Sequence, residues 1–378
     1  MSAWPDKYVI GLTGNIATGK SVIRRMLEHL GAYGIDADAL GHRAIEKGAP
    51  GYQPVVDAFG NWILNQDGQI DRTTKLASVV FANREALSRL ENIIHPLVKQ
   101  GIDILVRRSR QKVIVIEAIK LLESGLSKMC DSVWVAYTPR EVQINRLVNK
   151  RAMSETLARQ RIAAQPPQEA KIGAANVVIR NDKSFEDTWQ QVLAAWRELF
   201  PAEEEAGEKK ATTTPNLLFV QRAKPGSAAE IAAFITRVTN SKSMVSQEDI
   251  MSGFGEKAYL LLKQNGRLFG VMGWQVENLV ARMDEIYLDK SIPFQKAIGL
   301  FIEEVERASH ELLCEVALLF LTPELAREGQ VWTILGYRES SIQDLGVRAW
   351  QEAAMERLKA GSVMRYKRLR EDLVLRPV

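Results

Sequence analysis

Over its first 200 positions the chain alternates short, continuously apolar runs with longer segments in which apolar residues recur at helical spacing. Strands buried on both faces of a parallel sheet have such uninterrupted apolar runs, and amphipathic segments between them are typical of crossover helices. The pattern therefore predicts an α/β domain in which helices flank a parallel sheet. The predicted strands are residues 8–12, 32–35, 113–116, 132–136 and 176–179.

The pattern changes after residue 200. Residues 201–214 are charged or small and have little to bury, which predicts a linker between a domain at 1–200 and a second domain at 215–378. Two β-like runs flank Asn265-Gly266, a strong hairpin signal, so the second domain is predicted to be α+β. Its other predicted elements are strands at 283–288 and 315–321, a helix at 294–310, a late strand near 331–339 and a basic last helix at 364–370.

Composition and charge narrow the class of protein. The chain has 378 residues, 46% of them hydrophobic and 25% charged, which is ordinary globular composition and excludes disordered, collagen-like and coiled-coil proteins. A net charge of +4 is too small to predict a nucleic-acid partner. Since no apolar run approaches the roughly 18 residues of a membrane helix, a cytoplasmic protein without a membrane partner is expected. Cys130 and Cys314 lie far apart, which supports neither a disulfide framework nor a zinc site.

A phosphate-binding loop is the strongest motif in the chain. Gly14-Asn15-Ile16-Ala17-Thr18-Gly19-Lys20-Ser21 fits the pattern G-x-x-x-x-G-K-[ST] and lies between a predicted strand and a predicted helix. Backbone N–H groups at the start of such a helix bind phosphate oxygens. The motif predicts that Lys20 reaches the β- and γ-phosphates of ATP and that the Ser21 hydroxyl ligates Mg²⁺.

The loop alone does not name the reaction, because GTPases, motor ATPases and small-molecule kinases all use it. The guanine-reading tetrapeptide N-K-x-D is absent, and 200 residues leave little room for the machinery of a motor. A compact kinase is the better fit. Asp36-Ala37-Asp38 follows the second predicted strand, at the sheet edge where ligands bind, and Asp38 is the candidate general base. The alternative is that these aspartates cap the next helix, and one of them could do so.

Further motifs lie along the first 200 residues, in a fixed order with the phosphate loop. They are Ile35-Asp-Ala-Asp38, Leu90-Glu-Asn-Ile-Ile-His95-Pro96, Gln143-x-x-Arg146-Leu147, Arg161-Ile-Ala-Ala-Gln165, Lys171 and Val178-Ile-Arg-Asn181. Through these segments the first 200 residues resemble the dephospho-CoA kinase family. The resemblance implies a nucleotide core, a helical substrate-binding region and a lid. It also implies transfer of the ATP γ-phosphate to the ribose 3′-hydroxyl of dephospho-CoA.

Several site residues follow from this resemblance. It implies catalytic roles for Lys20, Asp38 and Arg146, nucleotide contacts for Arg146, Lys150 and Asn181, and acceptor contacts for Asp38, His42, His95 and Arg161. Without the resemblance, Pro96 predicts a helix entry and His95 a packed or capping residue. Arg146 and Lys150 would share one helix face, which a solvated basic surface explains equally well.

Two departures from the family pattern keep other functions open. Glu117-Ala-Ile-Lys-Leu-Leu-Glu123 stands where the family usually has an Asp-Val-Pro-Leu-Leu-Phe-Glu-like segment, so Glu117 replaces a strand-end aspartate and Lys120 enters an apolar stretch. Lys150 occupies the place of an expected lid arginine, although Arg151 is adjacent. The alternatives are another small-metabolite kinase and a non-catalytic, ATP-responsive binding protein.

Residues 257–339 resemble the GNAT acyltransferases. That family places [RQ]-x-x-G-x-[GA] at a helix N-terminus, where small residues let backbone amides approach the CoA pyrophosphate. Gln295 is present, but Ile298 and Leu300 occupy the two small positions, which predicts weak or absent acyl-CoA binding. We therefore expect a non-catalytic interaction, assembly or regulatory domain, through which the chain could form a homo-oligomer. An acyl-transfer role for Glu285, Glu315 or Tyr337 is the alternative to a structural role in the strands.

Overall fold

The computed structural model describes residues 3–201, 217–241 and 243–374. We call residues 3–201 the N-terminal half and the remaining described residues the C-terminal half. Most of the predicted linker, from residue 202 on, lies outside the described residues. Within the described ranges, no helix combines the length and the apolarity that crossing a bilayer requires.

The described N-terminal half forms a five-stranded parallel sheet with strand order β2-β3-β1-β4-β5. Its strands are β1 Tyr8–Thr13, β2 Tyr33–Asp36, β3 Val113–Glu117, β4 Ser132–Tyr137 and β5 Val177–Arg180. Each lies within a residue or two of its predicted bounds. The predicted α/β fold class is confirmed, because all neighbouring strands in this sheet run parallel and helices connect them.

Both faces of the parallel sheet are buried, which explains the continuous apolar runs. Val9 packs into the cluster on one face, together with Ile114 and Ile116. Ile10 and Leu12 pack into the cluster on the other face. The carboxyl ends of β1, β2 and β3 therefore meet at one edge of a rigid sheet.

Helices and short 3₁₀ turns connect these strands. The helices are α1 Lys20–His29, α2 Ala37–Ala44, α3 Tyr52–Phe59, α4 Lys75–Ala82, α5 Arg84–Arg108, α6 Arg140–Arg151, α7 Glu155–Ala163, α8 Gln168–Ile172 and α9 Phe185–Leu199. The 3₁₀ turns are Asn61–Ile63 and Leu126–Met129.

The predicted helix entry at Pro96 is wrong, because Pro96 lies inside α5. The helix begins twelve residues earlier, where the Asn83 side chain accepts hydrogen bonds from the N–H groups of Glu85, at 2.8 Å, and Ala86, at 3.1 Å. After Pro96 in the sequence, Val98 and Ile102 pack one face of α5 into the core. This packing stabilises the helix in spite of the backbone donor that the proline lacks.

The described C-terminal half contains a seven-stranded mixed sheet with strand order β11-β12-β10-β9-β8-β7-β6. The strands are β6 Phe219–Arg222, β7 Ala258–Gln264, β8 Arg267–Glu277, β9 Val280–Leu288, β10 Val316–Leu321, β11 Arg338–Glu339 and β12 Val363–Arg368. The helices are α10 Ala228–Val238, α11 Gln247–Gly253, α12 Phe294–Glu311, α13 Pro323–Ala326, α14 Gly329–Ile334 and α15 Arg348–Met355, and the 3₁₀ turns are Pro225–Ser227 and Gln343–Leu345.

The predicted α+β arrangement is confirmed, with the hairpin at Asn265-Gly266 and the helix at 294–310 in place. Two predictions in this half are wrong. The basic segment at 364–370 is largely strand β12, because Met364 buries its side chain while the strand pairs with β10. The predicted late strand near 331–339 begins with four residues of helix α14, which places Trp332 in the core, and only Arg338–Glu339 form a strand.

The two halves share a core as well as a surface. Leu279 and Leu313 of the C-terminal half pack into the cluster that covers one face of the parallel sheet. Polar contacts surround this apolar patch, among them a hydrogen bond from the His29 ring to the Phe254 carbonyl at 2.8 Å. The buried Glu315 carboxylate accepts a bond from Arg43 at 2.9 Å.

Candidate active site

The phosphate loop connects β1 to α1 and is held in a shape that only glycine allows at two positions. Gly14 and Gly19 both have positive φ, 153° and 86°. A Cβ atom on Gly14 would lie 2.5 Å from the Ala136 carbonyl oxygen. A Cβ atom on Gly19 would lie 1.9 Å from the side-chain nitrogen Nδ2 of Asn181. The glycines of the motif are therefore required by close backbone approach as well as by dihedral angle.

Lys20 is the first residue of α1 and is 7% exposed. Its ammonium group donates to the Asn15 carbonyl at 3.3 Å, inside the loop. Burial lowers the pKa of Lys20, and the carboxylates of Glu117 and Asp38 act against that shift. The loop therefore holds a desolvated ammonium group at the point where the motif predicts the β- and γ-phosphates.

Ser21 and Glu117 form a second part of the site. The Ser21 hydroxyl donates to the Glu117 carboxylate at 2.9 Å, and Arg24 donates to the other oxygen of that carboxylate at 2.8 Å. Glu117 is 5% exposed at the end of β3, so its charge is neutralised by a specific partner.

The two aspartates after β2 have different roles. Asp36 caps α2, because its carboxylate accepts from the Ala39 N–H at 2.9 Å. Burial and the neighbouring Glu117 carboxylate raise the pKa of Asp36 to about 6. Asp38 is exposed, and its carboxylate accepts from the Ile119 N–H at 3.1 Å. Desolvation by the surrounding protein raises the pKa of Asp38, while the Ile119 N–H and the Lys20 ammonium oppose that rise.

Lys171 is a site residue to which the sequence analysis assigned no role. It is 2% exposed, and its ammonium group donates to the Ile119 carbonyl, so both polar groups of the Ile119 backbone bind site residues. Burial lowers the pKa of Lys171, and Lys20 lowers it further. The sequence signal that could have identified it is that Lys171 is among the residues that match the dephospho-CoA kinase family. Lys120, in the unusual apolar segment, pairs with Glu91 of α5.

Arg146 and Asn181 donate hydrogen bonds to backbone carbonyls of the phosphate loop. Arg146 donates to the Ala17 carbonyl at 3.2 Å and to the Asn181 carbonyl at 2.7 Å. The Asn181 side chain donates to the Thr18 carbonyl at 2.9 Å. Burial lowers the pKa of Arg146. The structure thus brings both residues to the phosphate loop.

The remaining predicted residues are exposed or half-buried. Lys150 is exposed at the end of α6, whereas the charge of its neighbour Arg151 contributes to the lowered pKa of Lys20. Arg161 is exposed on α7. His95 is half-buried in the middle of α5, and the exposed His42 lies on α2, four residues beyond Asp38.

Comparison with known proteins covers the same part of the chain. The family model described as dephospho-CoA kinase matches residues 8–187. The dephospho-CoA kinase of Geobacter sulfurreducens is 41% identical over 196 residues, which are 51% of this chain and 99% of that protein. The chain belongs to the dephospho-CoA kinase family.

Solved structures match each half of this family member separately. A dephospho-CoA kinase from Campylobacter jejuni is 28% identical, with a TM-score of 0.39, and covers 52% of this chain and 99% of its own. An acetyltransferase of the GNAT family from Staphylococcus aureus is 15% identical, with a TM-score of 0.33, and covers 41% of this chain and 100% of its own.

Dephospho-CoA kinases use ATP as cosubstrate, and the phosphate loop lies within the matched span. The departure from the usual family segment after β3 has a structural counterpart. Glu117 bonds to Ser21 at one oxygen and to Arg24 at the other, and Lys120 is paired. The longer side chain of Glu117 therefore spans from the phosphate loop to a buried arginine on α1.

Proposed function

We propose that this chain transfers the γ-phosphate of ATP to the ribose 3′-hydroxyl of dephospho-CoA and so makes coenzyme A. The observation that carries the proposal is that Asp38 and Lys171 both bind the Ile119 backbone, with the Lys20 ammonium group close enough to act on the pKa of both, at the carboxyl edge of the parallel sheet. That edge is where open α/β sheets bind ligands. Membership of the dephospho-CoA kinase family supports the choice of acceptor.

In the proposed mechanism the chain mainly positions groups and stabilises charge. Amides of the phosphate loop, Lys20 and Arg146 hold the triphosphate and offset the charge that develops on the oxygens of the migrating phosphoryl group. The carboxylate of Asp38 orients the 3′-hydroxyl and accepts its proton as the new P–O bond forms and the bond to the β-phosphate breaks. Desolvation raises the pKa of Asp38, and the ammonium groups of Lys20 and Lys171 oppose that rise.

Mg²⁺ would accompany ATP as part of the substrate. The donor set fits a hard cation, because the Ser21 hydroxyl and the Glu117 carboxylate lie 2.9 Å apart beside the phosphate loop. When bound, the ion would offset negative charge on the phosphate oxygens. Ser21 and Glu117 are the residues we propose to hold it, with ATP supplying further oxygens.

We also propose the domain division 1–200, 201–214 and 215–378, with a GNAT-like second domain that has no acyltransferase activity. Ile298 is completely buried in the core, where an acyl-CoA site would need a small residue beside the backbone. Two of the three candidate acid–base residues have structural partners, since Glu315 binds Arg43 and Glu285 binds Lys257 at 2.8 Å. The third, Tyr337, is completely buried in the core.

The proposed reaction is tested by the identity of the product. The full chain is incubated with ATP, Mg²⁺ and, in separate reactions, dephospho-CoA or a nucleoside monophosphate, and the products are analysed by mass and by ³¹P NMR. We expect coenzyme A that carries a 3′-phosphate. Phosphorylation of the nucleoside monophosphate alone would favour another small-metabolite kinase. ATP binding without transfer to either acceptor would favour a non-catalytic binding protein.

Two variants test the assigned roles. Lys20→Ala and Asp38→Asn should each lower the rate of coenzyme A formation by at least about a hundredfold, because one removes phosphate stabilisation and the other removes the base. The matched controls Lys112→Ala and Asp6→Asn change exposed residues near the amino ends of the strands and should keep the wild-type rate. Circular dichroism checks that all four variants fold. A wild-type rate in either test variant would remove the role assigned to that residue.

A further inference from the structure

In addition to the hydrogen bond between His29 and Phe254, a carboxylate of the C-terminal half contacts the phosphate-loop helix α1. Glu277, at the end of β8, accepts hydrogen bonds from Arg25 at 3.0 Å and from Arg24 at 3.4 Å. Arg24 and Arg25 are 2% and 6% exposed. Guanidinium groups this deeply buried require carboxylate partners, and the C-terminal half supplies one of them.

The same contact leads directly into the active site. Arg24 follows Ser21 by three residues, so the two side chains lie on one face of α1. Both bind Glu117, Arg24 at one carboxylate oxygen and Ser21 at the other. A continuous series of hydrogen bonds therefore joins Glu277 to the hydroxyl that we propose to bind Mg²⁺.

Glu277 is held in place from its own side of the interface as well. Arg282 donates to it at 2.9 Å, and the amide of Gln275 donates at 2.9 Å. Burial opposes ionisation of Glu277, but Arg25, Arg24 and Arg282 outweigh that effect and lower its pKa to about 2. Glu277 is therefore a fixed negative charge, anchored in the C-terminal sheet and directed at Arg24.

We propose that the C-terminal half is an intramolecular activator of the kinase, in which Glu277 and Arg24 are positioning residues for Glu117. This inference rests on the nucleotide site of the proposed function. Arg24 donates from three separate nitrogens to Glu28, Glu117 and Glu277. When Glu277 holds one end of the Arg24 guanidinium group, the Nε atom of Arg24 fixes the Glu117 carboxylate in the orientation that supports Ser21 and Mg²⁺. Without Glu277, Arg24 loses this anchor and Glu117 loses its fixed orientation.

The test measures binding of ATP to the full chain by titration calorimetry, with Mg²⁺ and again with excess EDTA. In Glu277→Gln we expect the Kd for ATP with Mg²⁺ to rise about tenfold, the lower end of the effect of removing a group that supports a metal ligand. The Kd in EDTA should change less than about twofold, because the phosphate loop itself is intact.

A second bridge between the halves provides the matched control. Glu352 of α15 binds Arg72 at 2.6 Å and makes no contact with α1 among the contacts of the described residues. Glu352→Gln should leave both Kd values at the wild-type level. In an Arg24→Gln background, Glu277→Gln should have no further effect, because Arg24 is the residue through which it acts.

Each other outcome has a definite meaning. An unchanged Kd in Glu277→Gln overturns the inference, and so does an equal loss in Glu277→Gln and Glu352→Gln, which would indicate general loosening of the interface. An equal loss with and without Mg²⁺ also overturns it. If the wild-type chain does not bind ATP with Mg²⁺, the proposed function itself fails.

Discussion

Gly19 lies at the most crowded point of the phosphate loop. Its positive φ and the amide of Asn181 leave no room for a side chain, while Arg146 lies just beyond. The sequence motif predicts a glycine here because phosphate must approach the backbone. The structure adds a second reason, since Asn181 also needs this space to bind the Thr18 carbonyl.

Gly19→Ala should therefore reduce both stability and nucleotide binding. The new methyl group displaces Asn181 and forces alanine into a left-handed conformation, which alone costs about 1–2 kcal/mol, so we expect ATP affinity to fall about tenfold or more. Titration calorimetry and a thermal melt measure the two effects. Gly299→Ala is the control, because Gly299 lies within α12 and has open space around its Cβ position, so its melting temperature should stay the same or rise. Wild-type ATP affinity in Gly19→Ala would contradict the described loop.

Residue types alone could propose Lys20 and Asp38 as site residues, because the motif and the strand end are local in sequence. They could not identify the partner of Lys171, since Ile119 lies 52 positions away and contributes only backbone atoms. Nor could they indicate that Glu117 binds Arg24, 93 positions apart. Contacts of this kind depend on which strands become neighbours, and no local pattern encodes that.

At the scale of elements, the buried strands were the most predictable part of the fold. β1, β3 and β4 combine continuous apolar runs with flanking turns, a pattern with few alternative structures. Strand β12 was missed although Met364 and Tyr366 alternate with basic residues at the spacing of a strand, because the sequence analysis assigned those basic residues to the polar face of a helix. Pairing with β10 on one side and β11 on the other decides its structure.

Helix α5 illustrates a second limit of local patterns. Pro96 has no N–H group and normally predicts a helix start or break. Here 25 residues form one helix, because its buried face packs against the sheet along Val98, Ile102 and Leu105. Tertiary packing outweighs the lost hydrogen bond, so the correct prediction required knowledge of what the helix covers.

At the scale of the whole molecule, the two halves are joined by buried and titratable groups. The His29 ring donates to the Phe254 carbonyl, beside Arg25 and Arg222. Burial lowers the pKa of His29 to about 4. In the unfolded chain the pKa of histidine is about 6.5, so the unfolded state takes up a proton that the folded state refuses. The contribution of His29 to stability is therefore complete above about pH 6.5 and is lost as the pH falls toward 4.

His29→Gln should reduce the sensitivity of the fold to acid. Glutamine can still donate to the Phe254 carbonyl but does not titrate, so the fall in melting temperature between about pH 7.5 and about pH 5 should be smaller than in the wild type. Differential scanning calorimetry at both pH values measures it. His310→Gln changes an exposed histidine at the end of α12 and should behave like the wild type. An identical pH dependence of the melting temperature in His29→Gln and the wild type would show that protonation of His29 does not contribute to unfolding at low pH.

The most direct test of the central claim is a crystal structure of the full chain with a non-hydrolysable ATP analogue, Mg²⁺ and dephospho-CoA. The account predicts the triphosphate in the loop around Lys20, with the 3′-hydroxyl of the acceptor between Asp38 and the γ-phosphate. A triphosphate bound elsewhere, or an acceptor ribose remote from Asp38, would contradict it.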